Sequence, residues 1–266
     1  TGGVLAWGIG VPWLSSHTPN PAHLPAAAFA HDLWLHKIRF IGAGSIAVAS
    51  LWTLVELLPP VLNGIRQSLR PAKGTTTTHE RDLSPWSMAA LLAVSAFGLW
   101  WFFRDFLGPM TTGAGALVGA AVLFCIVFGF LMAAACGYMA GIVGSSSSPI
   151  SGIIIVGAVL SALMILGLEA LGLVPPALMA NEQKLATAFT ILVLSAITAT
   201  IAISNDNLQD LKTGQLVGAS PWKQEAVLIV GCVVGSLVIP PVLNLLYQAY
   251  GFAGAMPRPG MDPSRA

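Results

Sequence analysis

Charged residues are scarce in this chain, since only 9% of its 266 residues are Asp, Glu, Lys or Arg. A soluble globular domain has about 25% charged residues, so this chain has too few to cover a water-facing surface. The net charge of +1 provides no general attraction to nucleic acid. With 55% hydrophobic residues, the composition predicts a polytopic membrane protein that contacts membrane lipid.

Patterns for cofactor and metal binding are also missing. The three cysteines, Cys125, Cys136 and Cys232, form no CxxC pair, and we interpret them as inert thiols within apolar runs. No GxxxxGK[ST] pattern of a P-loop ATPase is present. The histidines of residues 15–38 lack zinc-type spacing. The sequence therefore predicts neither a cofactor nor a metal site.

Long apolar runs are the main feature of the sequence. Six runs reach the roughly 17–25 residues that a membrane-spanning helix needs. They lie at 39–62, 87–103, 113–136, 150–173, 186–204 and 226–248. Because lipid leaves no other partner for backbone amides, each run should be a helix. The predicted fold is an all-α polytopic transmembrane bundle with six complete spans and a partial span at residues 1–14, in one domain of a fragment of a longer protein.

Three polar segments separate some of these runs. Residues 15–38 contain four histidines and several prolines and are predicted to be a loop. Segments 63–86 and 205–225 are also predicted to be polar loops. The basic character of 63–86 indicates the cytoplasmic side, and alternation of the spans places 205–225 there too. This assignment leaves six Lys and Arg residues on each side, so charge alone does not fix the orientation.

A short polar stretch, GYMAGIVGSSSSPISG at 137–152, interrupts the apolar sequence. Ser148 followed by Pro149 favours a helix start, because the hydroxyl can accept bonds from free amides and proline needs none. The helix N-terminus and the adjacent hydroxyls would suit a carboxylate or another anionic group. The candidate residues are Ser145, Ser146, Ser147 and Ser148. The alternative is an ordinary interfacial turn in which the serines only cap the helix.

A second polar cluster directly follows the run 186–204. Its candidate residues are Asn205, Asp206, Gln209 and Asp210. If the helix continues, Asp206, Gln209 and Asp210 share one face. Two carboxylates and an amide would then be able to bind a cation, a proton or a substrate amine. The alternative is a solvated loop with a helix cap at Ser220 or Asn205.

Two acidic residues lie within apolar runs, Glu56 in LWTLVELLPP and Glu169 in ILGLEALGLVPP. A carboxylate in hydrocarbon is costly, so such a residue usually faces the protein interior or water and suits reversible protonation. Both are candidates for proton coupling. The alternative is that each reaches the headgroup region from a helix end.

The two polar stretches, together with VGSLVIPPVLNLL and RFIGAGSIAVASLWTL, resemble the oligopeptide transporter (OPT) superfamily and especially its prokaryotic members. The likeness covers about residues 1–250. The superfamily also contains the yellow stripe-like carriers of metal chelates, which have an element similar to Gln209–Gly214. Family members have many more spans than this chain, which agrees with a fragment whose remaining spans would be partners.

The resemblance implies a proton-coupled secondary transporter, not an enzyme, that imports small peptides or a metal chelate by alternating access. It implies a bacterial plasma-membrane location and a transport pathway beside Ser145–Ser148 and Asn205–Asp210. Two other classes stay open. One is a channel or a structural membrane subunit. The other is an intramembrane hydrolase that uses the serines, although no histidine lies within an apolar run to act as its base.

Overall fold

The computed structural model describes residues 2–20, 23–68, 83–108, 114–144, 150–175 and 184–251, which are helical with short connections. In chain order the helices are α1 (Val11–His17, preceded by a π-helical segment Val4–Gly10), α2 (Ala26–Leu33, continued by a π-helical segment Trp34–Ile38), α3 (Arg39–Ser68), α4 (Pro85–Leu107), α5 (Gly115–Val143), α6 (Ile150–Ala170), α7 (Lys184–Val217) and α8 (Pro221–Tyr250).

Within the described residues, six helical stretches are long and apolar enough to cross a membrane. One combines α2 with most of α3, and the others are α4 to α8. Each overlaps one of the six predicted apolar runs over most of its length, which confirms the all-α polytopic fold class. Helices satisfy their backbone hydrogen bonds internally, as a membrane requires.

The predicted loop at 15–38 is wrong in its second half. Residues after Pro25, AAAFAHDL, form α2, which continues through the π-helical segment into α3 without a break. Alanine has the highest helix propensity, and histidine in a helix is tolerated. The prolines therefore limit the irregular region to the residues before α2.

The predicted loop at 205–225 is wrong over most of its length. α7 continues to Val217 and α8 begins at Pro221, so only three residues connect them. Gly218 adopts φ +75, and the Ala219 N–H donates to the Gly214 carbonyl at 2.8 Å. This is the Schellman arrangement that ends a helix at a glycine. Ser220 lies in extended conformation at the N-cap of α8, one of the two cap positions named in the solvated-loop alternative, although its side chain makes no capping bond.

The other predicted polar loop, 63–86, is helical at both ends, since α3 continues to Ser68 and α4 begins at Pro85. The Ser84 hydroxyl accepts a hydrogen bond from the Ser87 N–H at 3.2 Å, which caps α4. Residues 69–82 lie outside the described part of the chain. The cytoplasmic placement of 63–86 and 205–225 stays a prediction.

The chain divides into two compact units, Thr1–Pro71 with Ala90–Leu208, and Ala72–Ala89 with Gln209–Ala266. In the first unit, α4 to α7 enclose an apolar core in which Phe103, Leu117 and Phe189 are fully buried. The rings of Phe103 and Phe189 meet edge to face with centroids 5.5 Å apart. α3 packs against α6 and α5. That the whole chain belongs to one transporter domain stays a prediction.

Candidate functional site

α5 and α7 pack side by side and run in the same direction. The Ser204 hydroxyl on α7 donates a hydrogen bond to the Ala133 carbonyl on α5 at 2.8 Å. Further along both helices, a Cβ atom added at Gly141 would lie 3.2 Å from Cδ2 of Leu208. The parallel packing brings the C-terminal end of α5 to the part of α7 that contains Asn205.

Glycines of α5 allow this close approach. A Cβ atom at Gly137 would lie 3.0 Å from the Ser204 hydroxyl oxygen, so alanine there would require a neighbour to move. The Gly137/Gly141 pair thus acts as a small-residue contact between helices. A second GxxxG pair, Gly115 and Gly119 at the start of α5, meets no atom within 4 Å in the described part of the chain.

The serine stretch follows the end of α5. Gly144 ends the helix with φ +89, and the described chain resumes at Ile150, the first residue of α6. Because Ile150 is the first described residue of α6, the helix start predicted at Ser148 and Pro149 lies outside the described residues and stays a prediction. Ser145, Ser146, Ser147 and Ser148 themselves lie outside the described residues, so their proposed role in binding stays a prediction.

A contact with α3 shows which part of α3 lies beside the first described residues of α6. Gly152 packs so closely on α3 that an added Cβ atom would overlap the Ser50 hydroxyl oxygen. Ser50 is buried and lies about halfway along the apolar run 39–62. Helices rise about 1.5 Å per residue, so Ile150 lies only about 3 Å further along the α6 axis than Gly152. The N-terminus of α6 is therefore beside the middle of this apolar run.

Asn205 lies at the polar end of an apolar ridge on α7. The buried residues that precede it at four-residue spacing are Phe189, Val193, Ile197 and Ile201. Asn205 is only 3% exposed, and its Oδ1 has no hydrogen-bond partner among the described residues. An unpaired buried acceptor costs about 1–3 kcal/mol. The carboxamide oxygen is therefore a candidate ligand-binding atom.

The neighbouring candidates differ from Asn205 in being exposed. α7 continues through Asp206, Gln209 and Asp210, so the helical condition for placing them on one face is met. The alternative of a solvated loop at these positions is wrong. No ion pair to either carboxylate occurs within the described ranges. Whether these three side chains bind substrate stays a prediction.

The two acidic candidates have different surroundings. Glu56 is exposed on α3, and its Oε1 accepts a hydrogen bond from Nε1 of Trp52 at 2.9 Å. Glu169 is exposed in the last turn of α6, which ends at Ala170 and is followed by Gly172 with φ +70. The position of Glu169 agrees with an acid at a helix end, whereas Glu56 lies further inside its helix. A role in proton coupling stays a prediction for both.

The histidines of α2 and its continuation make local contacts. His36 Nδ1 lies 2.9 Å from Asp32 Oδ1, one helical turn away. Within the described ranges, no three His, Cys, Asp or Glu side chains are placed together to hold a metal ion.

Sequence reasoning identified the Asn205–Asp210 cluster but missed how its members differ. The sequence spacing could have predicted that Asn205 is buried, because Asn205 follows Ile197 and Ile201 at intervals of four residues and so shares their buried face. The contacts that Ser50 and Ser204 make with neighbouring helices were also missed. Serines within apolar helices give no distinct pattern, and only the packing reveals which of them meet another helix.

Comparison with known proteins places this geometry in context. Residues 1–264 match the family described as OPT oligopeptide transporter protein. The chain is 43% identical, over 273 aligned positions, to a protein of Haemophilus influenzae (strain ATCC 51907 / DSM 11121 / KW20 / Rd) named "Putative oligopeptide transporter". The alignment covers 100% of this chain but 43% of that relative, so the chain spans less than half of its length. No solved structure matches.

Proposed function

Because the chain belongs to the OPT oligopeptide transporter family, we propose that it forms part of a secondary transporter that imports oligopeptides. The chain is a multi-pass integral membrane protein of a transporter family, not an enzyme. The bacterial relative supports the plasma membrane as its location. We further propose that import is proton-coupled and proceeds by alternating access, with membrane lipid, peptide and protons as its partners.

The observation that best supports this proposal is that the described part of α6 begins beside the middle of an apolar run of α3. The contact of Gly152 with Ser50 lies beside the middle of an apolar run, and the end of α5 adjoins the polar part of α7. Irregular backbone at membrane depth is tolerated only where it is buried in protein or lines a water-filled cavity. Transporters use such broken helices to hold polar substrates.

In this proposal the substrate passes between the serine stretch and the polar part of α7. Ser145–Ser148 and the free amides at the start of α6 would meet the carboxylate end of a peptide. The carboxylates of Asp206 and Asp210 would meet its ammonium group. Opposite charges at the two polar stretches would orient a zwitterionic peptide along the pathway.

The experiment that tests the function uses the full-length protein in proteoliposomes. An inward proton gradient is imposed, and uptake of a labelled tetrapeptide is compared with uptake of an iron chelate. We expect peptide uptake that a protonophore abolishes and that Asp210→Asn weakens. Chelate uptake without peptide uptake would overturn the peptide proposal, and peptide uptake unaffected by the protonophore would overturn proton coupling.

A second experiment tests the proposed proton carriers. Glu56→Gln keeps an oxygen that can accept the Trp52 bond but removes the titratable group. If Glu56 carries the coupled proton, this variant should lose gradient-driven accumulation while peptide counterflow between equal pools persists. Glu169→Gln is tested in parallel as the second candidate. Accumulation that survives both substitutions would show that neither carboxylate couples transport to protons.

A further inference from the structure

Asn205 has a carboxamide oxygen that the described part of the chain leaves without a hydrogen-bond donor. The residues preceding it on the buried ridge, Ile197 and Ile201, are apolar and have no donor side chain. The adjacent hydroxyl of Ser204 already donates to the Ala133 carbonyl at 2.8 Å. Asn205 Oδ1 is thus a buried acceptor without a partner in the part of the chain that the structure describes.

We infer that Asn205 Oδ1 accepts a hydrogen bond from a main-chain N–H of the transported peptide, an inference that rests on the proposed transport of peptides. An unpaired acceptor attracts a donor, and peptide amides are neutral donors that every peptide has. Recognition through the main chain does not depend on the side chains of the peptide. The site would therefore accept peptides of many sequences.

The same chemistry disfavours a metal chelate rich in carboxylates. Such a ligand presents mainly acceptor oxygens, which would repel the carboxamide oxygen of Asn205. The nearby side chains of Asp206 and Asp210 are acidic and exposed on the same helix. Like charges oppose binding of an anionic chelate at close range. The α7 cluster thus favours a substrate with N–H donors.

The burial of Asn205 also limits when a ligand can reach it. At 3% exposure, the side chain is closed off in the described arrangement. A peptide can meet it only when α7 separates from a neighbouring helix. Alternating access requires a movement of this kind, and the contact of Ser204 with Ala133 and Gly137 is one that such a movement would break.

The test combines a variant with peptides that lack one donor. Uptake of a labelled tetrapeptide by the full-length protein in proteoliposomes is compared with uptake of analogues N-methylated at each amide in turn. For the wild type, one analogue should have a KM about tenfold higher than the parent peptide. Asn205→Ala should raise the KM of the parent peptide by a similar factor and remove discrimination against that one analogue.

Ser204→Ala is the matched control, because Ser204 adjoins Asn205 but has its bonding partner within the protein. This variant should keep the discrimination between analogues even if it lowers the stability of the protein. Discrimination that persists unchanged in a folded Asn205→Ala variant would overturn the inference while leaving peptide transport established. Absence of peptide uptake by the wild type would overturn the proposed function itself, so the two failures are distinguishable.

Discussion

At the scale of the residue, the environment of Asn205 predicts opposite effects on stability and transport. Replacing the amide by leucine removes an unpaired buried acceptor and keeps the number and branching of the side-chain heavy atoms. Asn205→Leu should stabilise the folded protein by about 1 kcal/mol and reduce peptide uptake strongly. Thermal unfolding in detergent and uptake in proteoliposomes measure the two effects separately.

The matched variant for this stability prediction is Ser204→Ala, which removes a satisfied hydrogen bond between α7 and α5. It should destabilise the protein, by about 0.6 kcal/mol if the bond is typical of those between membrane helices. A lower unfolding temperature for Asn205→Leu would mean that the amide has a stabilising partner, contrary to the structure described here.

The difference between Asn205 and Asp206 shows what the sequence predicts at this scale and what it does not. Both follow an apolar run and both are polar, so composition gives them the same role. Asn205 is buried and Asp206 is exposed, because successive residues of a helix point about 100° apart. Which side of the helix faces the protein interior is decided only by how the helix packs against its neighbours.

At the scale of the element, the contact between α3 and α6 depends on the absence of a side chain at Gly152. An added Cβ atom overlaps the Ser50 hydroxyl oxygen, and it would also lie 3.2 Å from Cγ2 of Ile46. Gly152→Ala should therefore destabilise the protein by about 1–3 kcal/mol, as overpacking does. Thermal unfolding in detergent would measure this loss, and adding Ser50→Ala should recover most of it.

Gly167→Ala provides the control on the same helix. Apart from the backbone of its own helix, no atom of the described residues lies within 4 Å of a Cβ atom at Gly167, so the substitution meets open space. It should be neutral or stabilising, because alanine has a higher helix propensity than glycine. Equal effects of Gly152→Ala and Gly167→Ala would contradict a close contact between α3 and α6.

Gly214, the last residue of the Gln209–Gly214 element, is explained by the turn between α7 and α8. The carboxamide of Gln224 lies directly over the backbone of buried Gly214, where an added Cβ atom would overlap it. Gly214→Ala should displace Gln224 and destabilise the hairpin, and Gln224→Ala should relieve the effect. Proteolysis at the α7–α8 turn would report the change, with Gly231→Ala, which meets no atom within 4 Å, as control.

The apolar runs predicted the apolar parts of the helices but not the polar residues through which the same helices continue. Residues 26–38 and 205–217 are helical although they contain histidines, carboxylates and amides. An apolar run marks the part of a helix that faces lipid or the core, while helix propensity lets the same helix continue through polar residues. The end of α7 is instead set by Gly218, whose positive φ terminates the helix.

At the scale of the whole molecule, the number of spans and the family follow from the sequence, but the sidedness does not. Six apolar runs specify six spans because a membrane allows few other solutions. The equal division of Lys and Arg removes the charge difference that would orient them. Orientation must then be set by other parts of the full-length protein or by individual charges.

Alternation of six spans nevertheless predicts which connections share a side of the membrane. The segment between α3 and α4 and the three-residue turn between α7 and α8 should lie on one side, and the turn after α6 on the other. Single cysteines at Ala219 and Leu173 test this with a membrane-impermeant maleimide, in a background that carries Cys232→Ala because that thiol is exposed. Cys125 and Cys136 are buried and can remain.

We expect the two introduced thiols to react from opposite sides of the membrane. Reaction of both from the same side would mean that α7, the helix between the two positions, does not cross the membrane, contrary to its assignment as a span.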